Sequence, residues 1–164
     1  MPGLPQRRHP RLKGFDYSHG WYFVTICTDK RKRILSRISV GRGALTPPCV
    51  ELSDIGRVVK KHIFRTNNVY PNVSINTFVI MPNPVHLIVA IEPAAGGGVR
   101  APRPTTLSDI VRSVKAMVTR ELGYSIWQTS FYDHVIRTEA DYLRIWQYID
   151  ENPACWAEDE YYSE

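Results

Sequence analysis

An α+β domain is what this sequence predicts, and three observations carry the prediction. Runs of β-branched and aromatic residues have strand length, apolar residues recur at helical spacing between them, and capping residues stand at the joints. Residues 21–28, WYFVTICT, form the first strand, bounded by Ser18-His19-Gly20 and by the cluster Lys30 to Arg33. Residues 51–66 form a helix with Ser53 as its cap and Ile55, Val58, Val59, His62 and Ile63 along one face.

Two apolar runs, 73–81 and 85–92, then meet across Pro82-Asn83-Pro84 and read as an antiparallel hairpin. The stretch 93–104 carries three consecutive glycines and no periodicity, so it is expected as a mobile surface loop. A second helix over 105–123 has a capping box from Thr106 to Asp109, or from Ser108 onward, and stops at Gly123. A strand over 126–137 leads into a last helix over 138–152, capped by Thr138 and closed by Pro153. The order β-α-β-β-α-β-α is that of a ferredoxin-like antiparallel sheet with helices on one face, followed by a C-terminal helix. The 164 residues are expected to form one domain, with a basic leader over 1–20.

Composition excludes several classes. No apolar run approaches the roughly 20 residues needed to cross a bilayer, and the N-terminus lacks the apolar segment of a secretory signal. Cys27, Cys49 and Cys155 are odd in number and far apart, with no metal-binding spacing, which suits reduced thiols in the cytoplasm. The net charge of +5 is bunched into Arg7, Arg8, Arg11 and Lys13, then Lys30, Arg31, Lys32 and Arg33. Such clusters suit a phosphate backbone through counterion release, or form a solvated basic face. Arg112, Lys115 and Arg120 on the second helix admit the same two readings.

His86 is the second residue of its strand, and Pro84, two residues earlier, falls on the same face. Tyr148 and Asn152 are four apart on the last helix and also share a face. A phenol with a carboxamide one turn on, brought against a strand histidine, suits metal-assisted nucleophilic attack on a phosphate. The same residues taken singly also suit a structural histidine and a core tyrosine. Trp127 and Trp146 are expected in the core, Tyr142 in packing beside Ile145, and Arg137 against Asp141 or a phosphate.

Several ordered pieces carry a family resemblance: RLKGFDYSHGWYFVTICT at 11–28, DIGRVV at 54–59, VIMPNPVHLIV at 79–89, LSDIVRSVKAMVTRELG at 107–123, IWQTSFYDHVIRTEADY at 126–142 and YIDENPACWAEDEYY at 148–162. From about Arg7 to Tyr162 the sequence resembles the single-tyrosine HUH transposases, which include the REP-associated tyrosine transposases. In that family two strand histidines hold magnesium or manganese, and a helix tyrosine attacks single-stranded DNA, leaving a 5′-phosphotyrosine and a free 3′-OH. The resemblance implies Tyr148 as nucleophile and His86 and Asn152 as metal ligands. It implies single-stranded or hairpin DNA as partner and allows a homodimer, since members occur as monomers and as dimers. The first histidine of the motif falls on Pro84, which has no donor atom.

The expectation is therefore a DNA-binding, transposase-like protein whose metal site is impaired. An active enzyme with a rebuilt shell, using His134 or a carboxylate, and a domesticated nucleic-acid-binding module are the alternatives. His134 is otherwise expected as a polar residue tying the last strand to a neighbour. Asp133 faces the other way by strand alternation. The basic positions expected to meet DNA are Arg7, Arg8, Arg11, Lys13, Arg31, Arg33, Arg112 and Lys115.

Overall fold

In a computed structural model the chain is described over residues 11–39, 47–93 and 104–156. Four antiparallel strands form the main sheet: β1 (Gly20–Ile26), β4 (Val73–Ile80), β5 (Val85–Ile91) and β6 (Tyr132–Ile136), in the order β4-β5-β1-β6. β2 (Ser36–Ser39) and β3 (Cys49–Leu52) make a separate two-stranded ribbon. The helices are α1 (Asp54–Val69), α2 (Leu107–Leu122) and α3 (Glu139–Glu151). The order of the four main strands is the ferredoxin-like one.

The predicted helix caps hold. Gly56 N–H donates to Ser53 Oγ at 3.0 Å, Thr106 and Asp109 close a reciprocal capping box, and Asp141 N–H donates to Thr138 Oγ1 at 3.1 Å. Gly123 ends α2 in the left-handed region, φ 82°, where a side chain would be strained.

Strand alternation divides the sheet into two unlike faces. Tyr22, Val24 and Ile26 of β1, with Val85, Leu87, Val89 and Ile91 of β5, turn toward α1 and α2 in the large core. Phe23 and Ile88 turn the other way and pack with Ile145 and Ile149 of α3. The C-terminal helix thus lies on the opposite face of the sheet from α1 and α2.

Four expectations are corrected. The helix expected from 51 begins at Asp54, because Glu51 and Leu52 pair with Arg37 and Ser36 in the ribbon. The strand expected over 126–137 is confined to Tyr132–Ile136, with one isolated bridge from Trp127 to Thr28. Between them, the carbonyls of Gln128, Thr129 and Ser130 accept from Lys115 Nζ at 2.8, 3.4 and 2.9 Å instead of joining a ladder. Trp146, expected in the core, is 44% exposed, because the buried stripe of α3 runs through Ile145 and Ile149. Arg137 does not pair with Asp141, whose carboxylate binds His134 and Arg144.

Candidate active site on the α3 face

His86 is the second residue of β5 and is 1% exposed. Its register partner on β1 is Thr25, whose Oγ1 lies 2.9 Å from His86 Nδ1. The imidazole stacks on the Phe23 ring at 5.6 Å, 16° between planes. Burial pushes the His86 pKa down to about 3, so the ring is neutral at physiological pH. Neutral imidazole is the form that ligates a metal.

Tyr148 comes from α3 and meets His86 edge-on, with ring centroids 5.4 Å apart and planes at 75°. It makes a second edge contact with Phe23 at 5.9 Å. Asn152, one turn further on, is 3% exposed. Tyr148 and His86 are in ring contact, and Asn152 is buried at the end of the same helix.

The hairpin before His86 is pinned to the end of β1. Asn83 is fully buried, and its Oδ1 accepts from Thr28 N–H at 2.9 Å and from Thr28 Oγ1 at 3.0 Å. The Asn83–Pro84 bond is cis, and Met81 N–H donates to Pro84 C=O at 3.0 Å. Pro84 is buried and brings no ligating atom.

These donors do not match a resident magnesium or manganese ion. Such hard cations take oxygen ligands, with carboxylates prominent among them, in shells of about six. The position offers one imidazole and one carboxamide, and no group of three His, Cys, Asp or Glu capable of holding a metal occurs among the described residues. His134 does not restore the set. It sits on β6 opposite Phe23, with β1 between it and β5, and its Nε2 is 2.8 Å from Asp141 Oδ2. That bond ties the last strand to α3. Burial works against the Asp141 carboxylate, but hydrogen bonds from Arg144 and His134 outweigh it and lower its pKa.

Of the basic positions expected to meet DNA, Arg11, Arg112 and Lys115 line one cleft beside α2. Arg7 and Arg8 lie outside the described residues, as do most of the 93–104 loop and residues 157–164. Lys13, Arg31 and Arg33 are exposed, and Arg112 is 77% exposed with Asp109 at 3.8 Å. The Arg11 guanidinium lies 4.7 Å from the Phe131 ring centre, on the α2 side of the sheet. Two site residues, Thr25 and Phe23, had no sequence signal of their own. Only the pairing of β1 with β5 brings them against His86.

The fold is that of the tyrosine transposases. The structure is similar to that of a REP-associated tyrosine transposase bound to a REP hairpin, with a TM-score of 0.60 and 23% identity over 92% of this chain and 73% of that one. It is also similar to a Deinococcus radiodurans protein with a provisional transposase name, at a TM-score of 0.50 and 16% identity over 86% and 95% of the two chains. No family model matches the sequence. By sequence, the chain belongs to one family with an uncharacterized protein of Haemophilus influenzae, to which it is 35% identical over 98% of this chain and 95% of that one. No helix among the described residues is long and apolar enough to cross a membrane.

Proposed function

We propose that this protein binds single-stranded or hairpin DNA and retains the tyrosine of a DNA-nicking site without the cation shell that efficient nicking needs. The carrying observation is the Tyr148–His86 ring contact at 5.4 Å, on a strand where Pro84 stands two residues before the histidine. The transposase fold and the bunched cations at Arg7, Arg8, Arg11 and Lys13 support a DNA partner.

The chemistry follows from the residues present. A phenol has an ordinary pKa of about 10 and is protonated at neutral pH. Its attack on a phosphodiester needs the proton removed and the charge on the phosphate oxygens offset. His86 is neutral, but its Nδ1 is held by Thr25, and Asn152 supplies no charge. The arrangement orients Tyr148 and leaves the phosphate charge unopposed, so binding outlasts cleavage.

The test is cleavage of 5′-labelled single-stranded hairpins with manganese by the parent, by Pro84→His and by Tyr148→Phe. The expected result is cutting by Pro84→His, little or none by the parent, and none by Tyr148→Phe. A parent that cuts as fast as Pro84→His would overturn the proposal.

A further inference from the structure

Beside the first turn of α3 lies a cavity of about 320 Å³, lined by Trp21, Ile136, Arg137, Thr138, Glu139 and Tyr142. Its volume is at the small end of the roughly 300–1,000 Å³ typical of small-molecule sites. Strand alternation puts Trp21 on the face of Phe23 and Thr25, so the cavity lies on the same side of the sheet as His86. Along β1, Trp21 is four residues from Thr25, the register partner of His86, a span of about 13 Å. The cavity is thus separate from the Tyr148 ring contacts, and the nicking chemistry makes no use of it.

Its walls are aromatic. The Trp21 and Tyr142 rings meet at 90° with centroids 5.4 Å apart, forming a corner. Ile136, the register partner of Trp21 on β6, stands beside the indole. Trp21 is 44% exposed, although α3 packs on its face of the sheet. A flat ligand laid on that ring would remove apolar surface from water.

The rim carries opposite charges. Arg137 and Glu139 are two residues apart and exposed, and their side chains make no hydrogen bond or ion pair with each other or with another described residue. The next carboxylate along, Asp141, is occupied by His134 and Arg144. One cation and one carboxylate therefore face the cavity with their bonding capacity intact.

A positively charged ring would meet Arg137 and a negatively charged one Glu139, each at an electrostatic cost. A neutral ring with acceptors on one edge and donors on the next satisfies both. Among the nucleobases guanine is that ring: O6 and N7 accept from a guanidinium, and N1–H and the N2 amino group donate to a carboxylate. Adenine presents an amino donor where guanine has O6. The aromatic corner holds any base by its face, and the two charges select among them.

We infer that this cavity takes a guanine base, stacked on Trp21 with Arg137 on its O6/N7 edge and Glu139 on its N1/N2 edge. A free guanine nucleotide and an unpaired guanine within a nucleic acid carry the same ring. The site uses neither Tyr148 nor the basic leader, so it stands or falls separately from the DNA-binding reading.

The test is two-dimensional ¹⁵N NMR of the full chain, following the Trp21 indole N–H through titrations with guanosine, inosine and adenosine 5′-monophosphates. The guanine nucleotide should move it saturably. The inosine nucleotide, which lacks the N2 amino group, should bind about tenfold more weakly, and the adenosine nucleotide more weakly still. The indole of Trp127, in the opposite layer, should not move. Glu139→Gln and Arg137→Ala alter exposed side chains, and each should weaken the guanine nucleotide about tenfold while the rest of the spectrum stays that of the folded parent. Trp21→Ala should abolish binding by calorimetry. A pentanucleotide of thymidines with one central guanine identifies the source: affinity equal to the mononucleotide assigns the site to a free nucleotide, and an advantage of about tenfold or more assigns it to a base within a strand. Equal shifts with the guanine and adenine nucleotides, no shift with either, full binding by both charge variants, or an all-thymidine strand that moves Trp21 as far would overturn the guanine site.

Discussion

The two faces of the sheet are built on different terms. The α1/α2 face buries a continuous apolar core drawn from every main strand. The α3 face buries a smaller apolar cluster of Phe23, Ile88, Ile145 and Ile149 and sets beside it His86, Thr25 and Asn152, all nearly inaccessible. One side is filled with groups that gain by leaving water, while the other encloses polar groups that must be satisfied by partners. The difference teaches that α1 and α2 hold the fold, and that α3 closes over a site the fold presents.

Paired truncations test that division most strongly. Ile110→Ala and Ile145→Ala each empty a fully buried position and should each cost about 2–5 kcal/mol. Under native conditions, Ile145→Ala should speed hydrogen exchange in α3 alone, whereas Ile110→Ala should speed it throughout. Uniform exchange in both variants would mean that the two faces open as one unit. Gly56→Ala should come next, at about 3 kcal/mol or more in urea denaturation. Its new methyl would stand 2.0 Å from the Leu35 carbonyl oxygen, where backbone must shift. A near-neutral result would show that α1 is free to move off the chain beneath it.

On the polar face, Thr25→Val should cost about 1–3 kcal/mol, because it strips a buried ring nitrogen of its hydroxyl partner. A loss below about 0.5 kcal/mol would show that this bond is not holding His86. Acid should expose the same face. The His86 pKa is lowered in the folded state to about 3 from its ordinary 6.5. The stability tied to its neutral form is therefore complete above about pH 6.5 and is lost as the pH falls toward 3, at up to about 1.4 kcal/mol per unit. His86→Gln should flatten that slope, and urea midpoints at pH 7.5 and 5 measure it; an unchanged slope would place the acid sensitivity elsewhere. The smallest effect belongs to neither face. Arg57→Ala removes an ion pair with Asp54 at 2.6 Å whose partners are 68% and 98% exposed, and should cost about 0.2–0.5 kcal/mol.

Much of this was legible in the sequence, and the rest was hidden for physical reasons. The caps at Ser53, Thr106 and Thr138 are local chemistry, so they could be read directly. The β2–β3 ribbon could not, because each strand has four residues and the second alternates only between exposed and half-buried positions. Nor could the side of the sheet that α3 takes, since Ile145 and Ile149 make an apolar stripe that fits either face. Tyr148 and His86 were paired through the family resemblance, but Thr25 stands 61 residues from His86 and is found only through the sheet register. Lys115 was expected to meet DNA or to lie on a solvated face, and only the turn of the 128–130 backbone toward it shows its structural task.

β1 lies between β5 and β6 and sends alternate side chains into both layers. An insertion of one residue within it would swap the contents of the layers, carrying Phe23 and Thr25 into the helix-packed core and Tyr22 and Val24 beneath Tyr148. An insertion of two would restore the parity while displacing the pairing by one full repeat. Among descendants of this chain, length changes in the central strand should therefore occur in even steps or be confined to its ends.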